Sequence, residues 1–237
     1  MKIGTDSVLL AAAVPLEWLP PGVLRVLDIG CGCGVVAFCL ADRLWQQGRR
    51  DAHWVGIDID APSVEEAMLN AAEFPSRDGF SFDFQNVSFH QWRGNGHAKF
   101  DLVVSNPPFF GASLKPADPR RCLSRHRDDL LPFDELIAGT ADLLSDQGRF
   151  FVILPVSEVS AFERQADPLL SLRFKMMIRP VWGKDFNRCV LGFSRQAGTV
   201  QETELSIRNA DYSWSQSYRT LTECLYWEKM WEPRYSK

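Results

Sequence analysis

Short apolar runs alternate along most of the chain with segments in which apolar residues recur every three or four positions. The runs predict buried strands, and the wider spacing predicts amphipathic helices between them. The predicted strands are 23–29, 53–58, 80–85, 100–105 and 149–154, and the predicted helices are 35–47, 63–73, 132–144 and 157–170. Such alternation is typical of an α/β fold in which helices flank a mostly parallel sheet.

Two more apolar segments follow the last predicted helix, with no helix between them. They cover 172–181 and 189–195 and are separated by Trp182-Gly183-Lys184-Asp185, which predicts a turn. We therefore expect an antiparallel hairpin at the C-terminal end of the sheet. Residues 111–127 form the longest predicted loop, and a loop of this length in a compact domain is usually functional or disordered.

The length and composition of the chain predict one domain. The 237 residues are 46% hydrophobic and 24% charged, which is enough for one sizeable core, and the sequence contains no repeat, low-complexity tract or linker. We expect residues 1–237 to form a single domain, either monomeric or weakly oligomeric.

The N-terminal segment combines Lys2 with an apolar run, as a short secretory signal does. Asp6 interrupts the positive region of such a signal, and Thr5 and Asp6 instead predict the N-cap of an amphipathic helix leading to Pro15. No apolar run approaches the roughly 20 residues of a membrane span. The six cysteines lack regular disulfide spacing and form no CxxC pair. We therefore expect a protein of the reducing cytoplasm, without a membrane segment.

The net charge of -4 gives no overall indication of nucleic-acid binding, because proteins held by phosphates usually have a basic excess. Two segments are nevertheless locally basic. Residues 111–127 contain five basic residues and one acidic residue, and residues 173–195 contain six and one. The first segment is the better candidate for phosphate contacts, whereas the second has the alternation of an ordinary solvated strand face.

A glycine-rich motif, Asp28-Ile29-Gly30-Cys31-Gly32-Cys33-Gly34, joins the first predicted strand to the first predicted helix. Its glycines allow the backbone to approach a ligand closely, and the following helix N-terminus favours an anionic group. A dinucleotide fingerprint would require glycine at Val35, whereas GxGxG after an acidic residue is associated with S-adenosylmethionine. The predicted cofactor residues here are Asp28, Gly30, Gly32 and Gly34. The alternative is an ordinary strand-to-helix turn.

Cys31 and Cys33 are poorly spaced for zinc, so we expect packing residues and no metal.

Polar residues also follow the second and third predicted strands. Asp58 is placed to accept the two ribose hydroxyls, while Asp60 either caps the next helix or is simply solvated. Asn86 is the candidate acceptor for the amino group of the cofactor adenine. Ser88 is an alternative, and an asparagine that closes a strand is commonly only a turn residue.

The motif Asn106-Pro107-Pro108-Phe109 follows the fourth predicted strand, at the sheet edge where parallel sheets bind ligands. Asn106 Oδ1 and the Pro107 carbonyl can accept the two hydrogens of an exocyclic amine, which directs the nitrogen lone pair toward a methyl donor. Phe109 can stack on a flipped base, and Phe110 can line the same pocket. An isolated motif of this kind could be only a rigid turn, but its position after GxGxG and an acid favours methyl transfer.

With these motifs in order, the chain resembles the bacterial tRNA1(Val) (adenine-N6)-methyltransferases, which belong to the class I amino-methyltransferases with an (N/D)PP(Y/F) motif. The first ten residues, MKIGTDSVLL, are similar to the family's MKVGTDGxLL, whose Thr-Asp pair lies beside the cofactor. Other matches are Asp58 with Asp60, Ala67, Asn70, Ser124-Arg125-His126, Arg188 to Ser194, Tyr212-Ser213 and Leu221 to Tyr226.

The resemblance implies a Rossmann-like class I methyltransferase fold, S-adenosyl-L-methionine as cofactor, and transfer to N6 of the adenosine next to the tRNA anticodon. It implies a cofactor contact for Thr5 and Asp6. The residues expected to bind the tRNA are Phe110, Lys115, Arg121, Arg125 and His126.

Two departures from the family pattern stand out. Family members usually have a further N-terminal segment, so we expect either a misassigned start or the absence of a strand that helps cover the site. The usual acid after the third strand is also not evident. The same site would suit three other acceptors, namely rRNA guanine, DNA adenine and a protein glutamine. The alternative function that is not enzymatic is a protein that binds the cofactor without catalysing methyl transfer.

Overall fold

The computed structural model describes residues 4–75, 78–94, 96–108 and 131–225. The strands are β1 Leu24–Ile29, β2 Ala52–Asp58, β3 Phe80–Asn86, β4 Phe100–Ser105, β5 Leu144–Pro155, β6 Ser171–Val181, β7 Arg188–Ser194 and β8 Gln201–Arg208. The α-helices are α1 Thr5–Ala13, α2 Val35–Gln46, α3 Ala61–Glu73, α4 Phe89–Arg93, α5 Phe133–Leu143, α6 Val156–Ala166 and α7 Gln216–Thr222. Short 3-10 turns cover Leu16–Trp18 and Glu223–Leu225.

The strands form one mostly parallel sheet in the order β3-β2-β1-β4-β5-β7-β6-β8. Strands β1 to β5 pair in parallel, and β7 pairs antiparallel with both β5 and β6. The mostly parallel α/β sheet and the C-terminal hairpin predicted from the sequence are therefore confirmed. The strand order reverses between β1 and β4, which is where open α/β sheets bind ligands.

The edge strand β8 was not predicted. It pairs in parallel with β6 beyond the hairpin. Its first four residues are polar and mostly exposed, and only Leu205 and Ser206 of the strand are buried. An edge strand that buries so little apolar surface lacks the continuous apolar run by which the inner strands are recognised.

Two hydrophobic cores lie on opposite faces of the sheet. Val26 and Leu27 are neighbours in β1 and belong to different cores, because successive side chains of a strand point to opposite faces. One core includes Leu9, Leu40, Trp54, Val64 and Tyr218, and the other includes Phe89, Phe100, Leu136, Phe162 and Phe193. Helices α1, α2, α3 and α7 thus cover one face, and α4, α5 and α6 cover the other. Within the described ranges, no helix is both long enough and apolar enough to cross a membrane.

Helix α1 differs from its prediction in two respects. Its N-cap is Gly4, and no side chain caps it, so the predicted capping by Thr5 and Asp6 is wrong. Asp6 instead accepts a hydrogen bond from Arg188 Nε at 2.8 Å. The helix is not amphipathic either, since residues 8–13 are all buried. Helix α1 is a core helix whose first turn is joined to β7 by an ion pair.

Candidate active site

The glycine loop turns the chain from β1 into α2. Gly30 and Gly34 have φ angles of 75° and 83°, in the left-handed region that favours glycine. A Cβ atom at Gly34 would lie 2.5 Å from a ring carbon of Phe38, so packing also requires glycine there. A Cβ at Gly30 would meet no protein atom within 4 Å. The loop is thus packed against protein at Gly34 and open to a ligand at Gly30.

A cavity of about 920 Å³ lies at the carboxyl ends of β1, β2 and β4, where the strand order reverses. The predicted site residues on its wall are Gly30, Gly32, Asp58, Asn106 and Pro107. The cavity is therefore shared by the glycine loop, the acid after β2 and the motif after β4. This is the arrangement that a cofactor and an acceptor amine need in order to meet.

Asp58 is fixed at the cavity by two backbone donors. Its Oδ2 accepts from Gly32 N at 2.8 Å, and its Oδ1 accepts from Asp60 N at 2.9 Å. Each carboxylate oxygen has a further lone pair, so both can still accept from a ribose hydroxyl. Asp60 is the N-cap of α3 and accepts from Ser63 N at 3.2 Å, which is the first of the two roles predicted for it.

Asp28 is buried behind the glycine loop and does not line the cavity. Within the described part of the chain, neither carboxylate oxygen makes a hydrogen bond of ordinary distance and angle, and the backbone N–H of Ala37 is the donor that lies near them. Burial and the nearby charge of Asp58 raise the pKa of Asp28 to about 7, and the backbone N–H of Ala37 in α2 opposes this shift. The structure thus gives Asp28 a supporting position below the loop.

The segment after β3 brings Ser88 to the cavity but not Asn86. Asn86 is exposed, and its Nδ2 donates to the backbone carbonyl of Asp58 at 3.0 Å. Ser88 is the N-cap of α4, where its Oγ accepts from Gln91 N at 3.3 Å, and it lines the cavity. Of the two candidates for an adenine contact, Ser88 has the better position.

Asn106 and Pro107 form the cavity wall at the end of β4. Ser105 is fully buried, and its Oγ donates to the carbonyl oxygen of Ile29 at 2.8 Å, which ties the ends of β4 and β1 together. Asn106 Nδ2 donates to Ser7 Oγ at 3.0 Å. The remaining predicted residues lie outside the described ones: Phe109, Phe110, Lys115, Arg121, Arg125 and His126.

The first turn of α1 contributes different residues from those predicted. Thr5 and Asp6 do not line the cavity, whereas their neighbours Gly4 and Ser7 do. The sequence analysis does not select Ser7. A signal is present in the sequence, since this chain has serine at the position where the MKVGTDGxLL motif has glycine.

The loop cysteines have the environment of packing residues. Cys31 and Cys33 are buried, and burial raises the pKa of both thiols, so they remain neutral near pH 7. In the ranges that the structure describes, no group of three or more His, Cys, Asp or Glu could hold a metal ion.

Two solved structures resemble this fold. A structure described as a predicted O-methyltransferase from Agrobacterium tumefaciens has a TM-score of 0.67 at 16% identity, over 93% of this chain and 96% of that chain. A structure described as a class I S-adenosylmethionine-dependent methyltransferase from Listeria monocytogenes has a TM-score of 0.59 at 16% identity, over 94% of this chain and 71% of that chain. Likeness at this level of identity concerns the fold alone.

The sequence comparisons identify the family. A model described as a methyltransferase domain matches residues 22–190. A tRNA1(Val) (adenine(37)-N6)-methyltransferase of Enterobacter sp. (strain 638) is 34% identical over 227 residues, which are 95% of this chain and 88% of that protein. A protein of the same name from Bacteroides thetaiotaomicron is 33% identical over 228 residues, which are 95% of this chain and 90% of that protein. The chain therefore belongs to the tRNA1(Val) (adenine(37)-N6)-methyltransferase family and is a class I methyltransferase that uses S-adenosylmethionine.

Proposed function

We propose that this protein methylates N6 of the adenosine next to the anticodon of tRNA1(Val), the substrate named for its relatives. The observation that carries the proposal is that Asn106 and Pro107 share one cavity with the glycine loop and Asp58. Methyl donor and acceptor amine can meet there without a rearrangement of the sheet. The proposal places the protein in the cytoplasm with its tRNA substrate and keeps residues 1–237 as one catalytic domain.

The residues on the cavity wall fit S-adenosylmethionine. Asp58 offers two acceptor oxygens for the ribose, Gly30 leaves open space beside the loop, and Ser88 offers a hydroxyl near the adenine end. The cavity lies near the upper end of the roughly 300–1,000 Å³ range of small-molecule sites, which suits a cofactor together with a flipped base. When bound, the cofactor supplies an electrophilic methyl group on its sulfonium.

Asn106 and Pro107 can make a weak nucleophile reactive. The lone pair of an adenine amine is delocalised into the ring, so the amine attacks poorly until its nitrogen becomes more tetrahedral. Asn106 Oδ1 and the Pro107 carbonyl would accept its two hydrogens and direct the lone pair at the methyl group. In the proposed transfer the amine nitrogen would bond to the methyl carbon as the S–C bond breaks, S-adenosylhomocysteine would leave as a neutral thioether, and the methylated amine would release one proton to solvent. No strong base is needed before transfer.

Recognition of the RNA is assigned to the residues that follow Pro108. A base inside the tRNA must be flipped to reach the cavity. In this proposal Phe109 stacks on that base, a contact worth about 1–3 kcal/mol, and Phe110 lines the same pocket. The basic residues assigned to the neighbouring phosphates are Lys115, Arg121, Arg125 and His126.

Labelled methyl transfer tests the proposal. The protein is incubated with methyl-labelled S-adenosylmethionine and, separately, with an unmodified tRNA1(Val) transcript, rRNA, DNA and a release factor as the glutamine-bearing protein. We expect label in N6-methyladenosine of the tRNA only. A transcript with guanosine in place of the target adenosine is the matched control and should stay unlabelled. Label in another acceptor, or cofactor binding without any transfer, would contradict the proposal.

Asn106→Ala tests the assigned mechanism. The variant loses the acceptor for the amine hydrogen, so methyl transfer should fall below detection while cofactor affinity, measured by calorimetry, changes by less than about twofold. Unchanged transfer would show that the amine is not activated by Asn106.

A further inference from the structure

We propose that Ser7 is a positioning residue for methyl transfer, which holds the Asn106 amide with its carbonyl oxygen toward the acceptor amine. This inference rests on the function proposed above. Asn106 Nδ2 donates to Ser7 Oγ at 3.0 Å, across 99 positions of the chain, and both residues line the cavity.

The side-chain amide of an asparagine can adopt two orientations that differ by a 180° rotation and occupy nearly the same volume. One presents its oxygen to the cavity, and the other presents its NH₂ group. Only the first can accept a hydrogen from an amine, because two NH groups facing each other leave both donors unpaired. In the observed arrangement Nδ2 donates to Ser7 Oγ, so Oδ1 is the end left for the substrate. A serine hydroxyl can also donate to a reversed amide, so the proposed selection requires the Ser7 hydroxyl hydrogen to be directed away from Asn106. Within the described part of the chain, Ser7 is the hydrogen-bond partner of the Asn106 side chain.

Ser7 can hold this position because α1 is fixed at both ends. Near Ser7, Asp6 pairs with Arg188 of β7 at 2.8 Å. At the other end, Arg43 Nη1 donates to the backbone carbonyls of Ala11 and Val14. The helix between these contacts is buried. Ser7 is thus presented to the end of β4 from a rigid element, as orientation of a reacting group requires.

The effect should appear in kcat more than in cofactor affinity. The residues proposed to hold the cofactor lie on other segments: Gly30 and Gly32 in the glycine loop, Asp58 after β2 and Ser88 at α4. Losing the Ser7 hydroxyl frees the Asn106 amide to rotate, so a smaller fraction of bound complexes is aligned for transfer. Cofactor contacts are unaffected by that rotation.

The test compares Ser7→Ala, Ser7→Thr and the exposed Ser160→Ala of α6 as a matched serine-to-alanine control. Steady-state kinetics are measured with the tRNA1(Val) transcript and S-adenosylmethionine. One hydrogen bond of ordinary strength corresponds to a decrease in kcat of about three- to tenfold for Ser7→Ala, with the cofactor KM within about twofold. Ser7→Thr keeps a hydroxyl and should restore kcat to within about twofold, and Ser160→Ala should not alter either constant.

The outcomes separate this inference from the proposed function. If Asn106→Ala abolishes transfer while Ser7→Ala keeps full kcat, the positioning role is wrong and the function stands. If Ser7→Ala and Ser7→Thr lower kcat equally, the hydroxyl is not what matters, and the inference fails. A loss of cofactor affinity that parallels the loss of kcat would show that Ser7 only supports the fold of α1. If Asn106→Ala is fully active, the proposed function itself fails at this site.

Discussion

Asp28 combines complete burial with a carboxylate that makes no hydrogen bond of ordinary geometry in the described part of the chain. Burying such a group is unfavourable while it is charged, and the neighbouring Asp58 increases the penalty. The protonated form therefore persists in the folded protein up to about pH 7. The free energy of unfolding should accordingly carry a pH dependence that originates at this residue.

Asp28→Asn should remove that dependence. Below the ordinary pKa of 3.8 the Asp28 carboxyl is protonated in the folded and in the unfolded protein. Between pH 3.8 and about 7 it loses its proton only in the unfolded chain, so the free energy of unfolding of the unaltered protein falls as pH rises. At about 1.4 kcal/mol per pKa unit, the advantage of the variant should grow to at most roughly 4 kcal/mol by pH 7 and then level off. Urea denaturation of the unaltered protein and of Asp28→Asn from pH 4 to 8 measures this difference in the free energy of unfolding. A difference that does not change with pH would contradict the assignment.

Residues within one motif could be predicted from the sequence, and contacts between motifs could not. Gly30, Asp58 and Asn106 are predictable because each ends or directly follows a predicted strand, and the carboxyl ends of parallel strands meet at one sheet edge. The contact of Ser7 with Asn106 depends on how α1 packs against the sheet, and no local pattern specifies that packing. Ser88 is the alternative to Asn86 for the adenine contact, and the start of α4 places Ser88 on the cavity wall, where Asn86 does not lie. The adenine contact itself stays a prediction.

At the scale of elements, six of the seven predicted strands differ from the observed strands by one residue at most at each end. They include the buried β1 and β4 and the half-exposed edge strand β3, because apolar runs and alternating apolar residues both mark a strand. Strand β5 begins five residues earlier than predicted, in the polar stretch before Arg149, and its register with β4 shifts there. Backbone pairing, not side-chain burial, defines such a segment, so its sequence carries little signal.

The ion pair between Asp6 and Arg188 joins two elements that the sequence leaves unrelated, α1 and β7. Asp6→Asn should weaken the docking of the first turn of α1. Both side chains are only partly buried, so solvent screening limits the coupling in a double-mutant cycle with Arg188→Gln to about 0.5–1 kcal/mol. Faster hydrogen exchange in α1 than in the unaltered protein is the expected local result.

A matched pair provides the control for this cycle. Lys175 and Glu163 form an ion pair of similar exposure at 2.7 Å between β6 and α6. Glu163→Gln should leave exchange in α1 unchanged, since α6 lies on the opposite face of the sheet. Equal acceleration in α1 by Asp6→Asn and Glu163→Gln would indicate a general loss of stability and would contradict a local role for the pair.

At the scale of the whole molecule, the cavity sits where the strand order reverses, and its two halves come from different parts of the sheet. In the proposed function, the ends of β1 and β2 bind the cofactor and the end of β4 binds the acceptor amine. A ligand that binds only one half of the cavity should therefore raise the free energy of unfolding through its contacts with the residues of that half alone. Substitutions in the two halves should have separable effects on ligand-induced stabilisation.

Asp58→Asn and Asn106→Ala test this separation by thermal unfolding with and without S-adenosylmethionine. A ligand at 100 times its Kd stabilises the folded state by about 2.7 kcal/mol, which for a domain of this size raises Tm by roughly 5–10 °C. Asn106→Ala should keep this shift. Asp58→Asn replaces one acceptor oxygen by an NH₂ group, so one ribose hydroxyl loses its partner and the shift at the same cofactor concentration should shrink by at least about half. Comparing each variant with its own ligand-free Tm removes the stability change that comes from the Gly32 and Asp60 contacts. A full shift in Asp58→Asn, or a lost shift in Asn106→Ala, would mean that the two halves are not divided between cofactor and acceptor in this way.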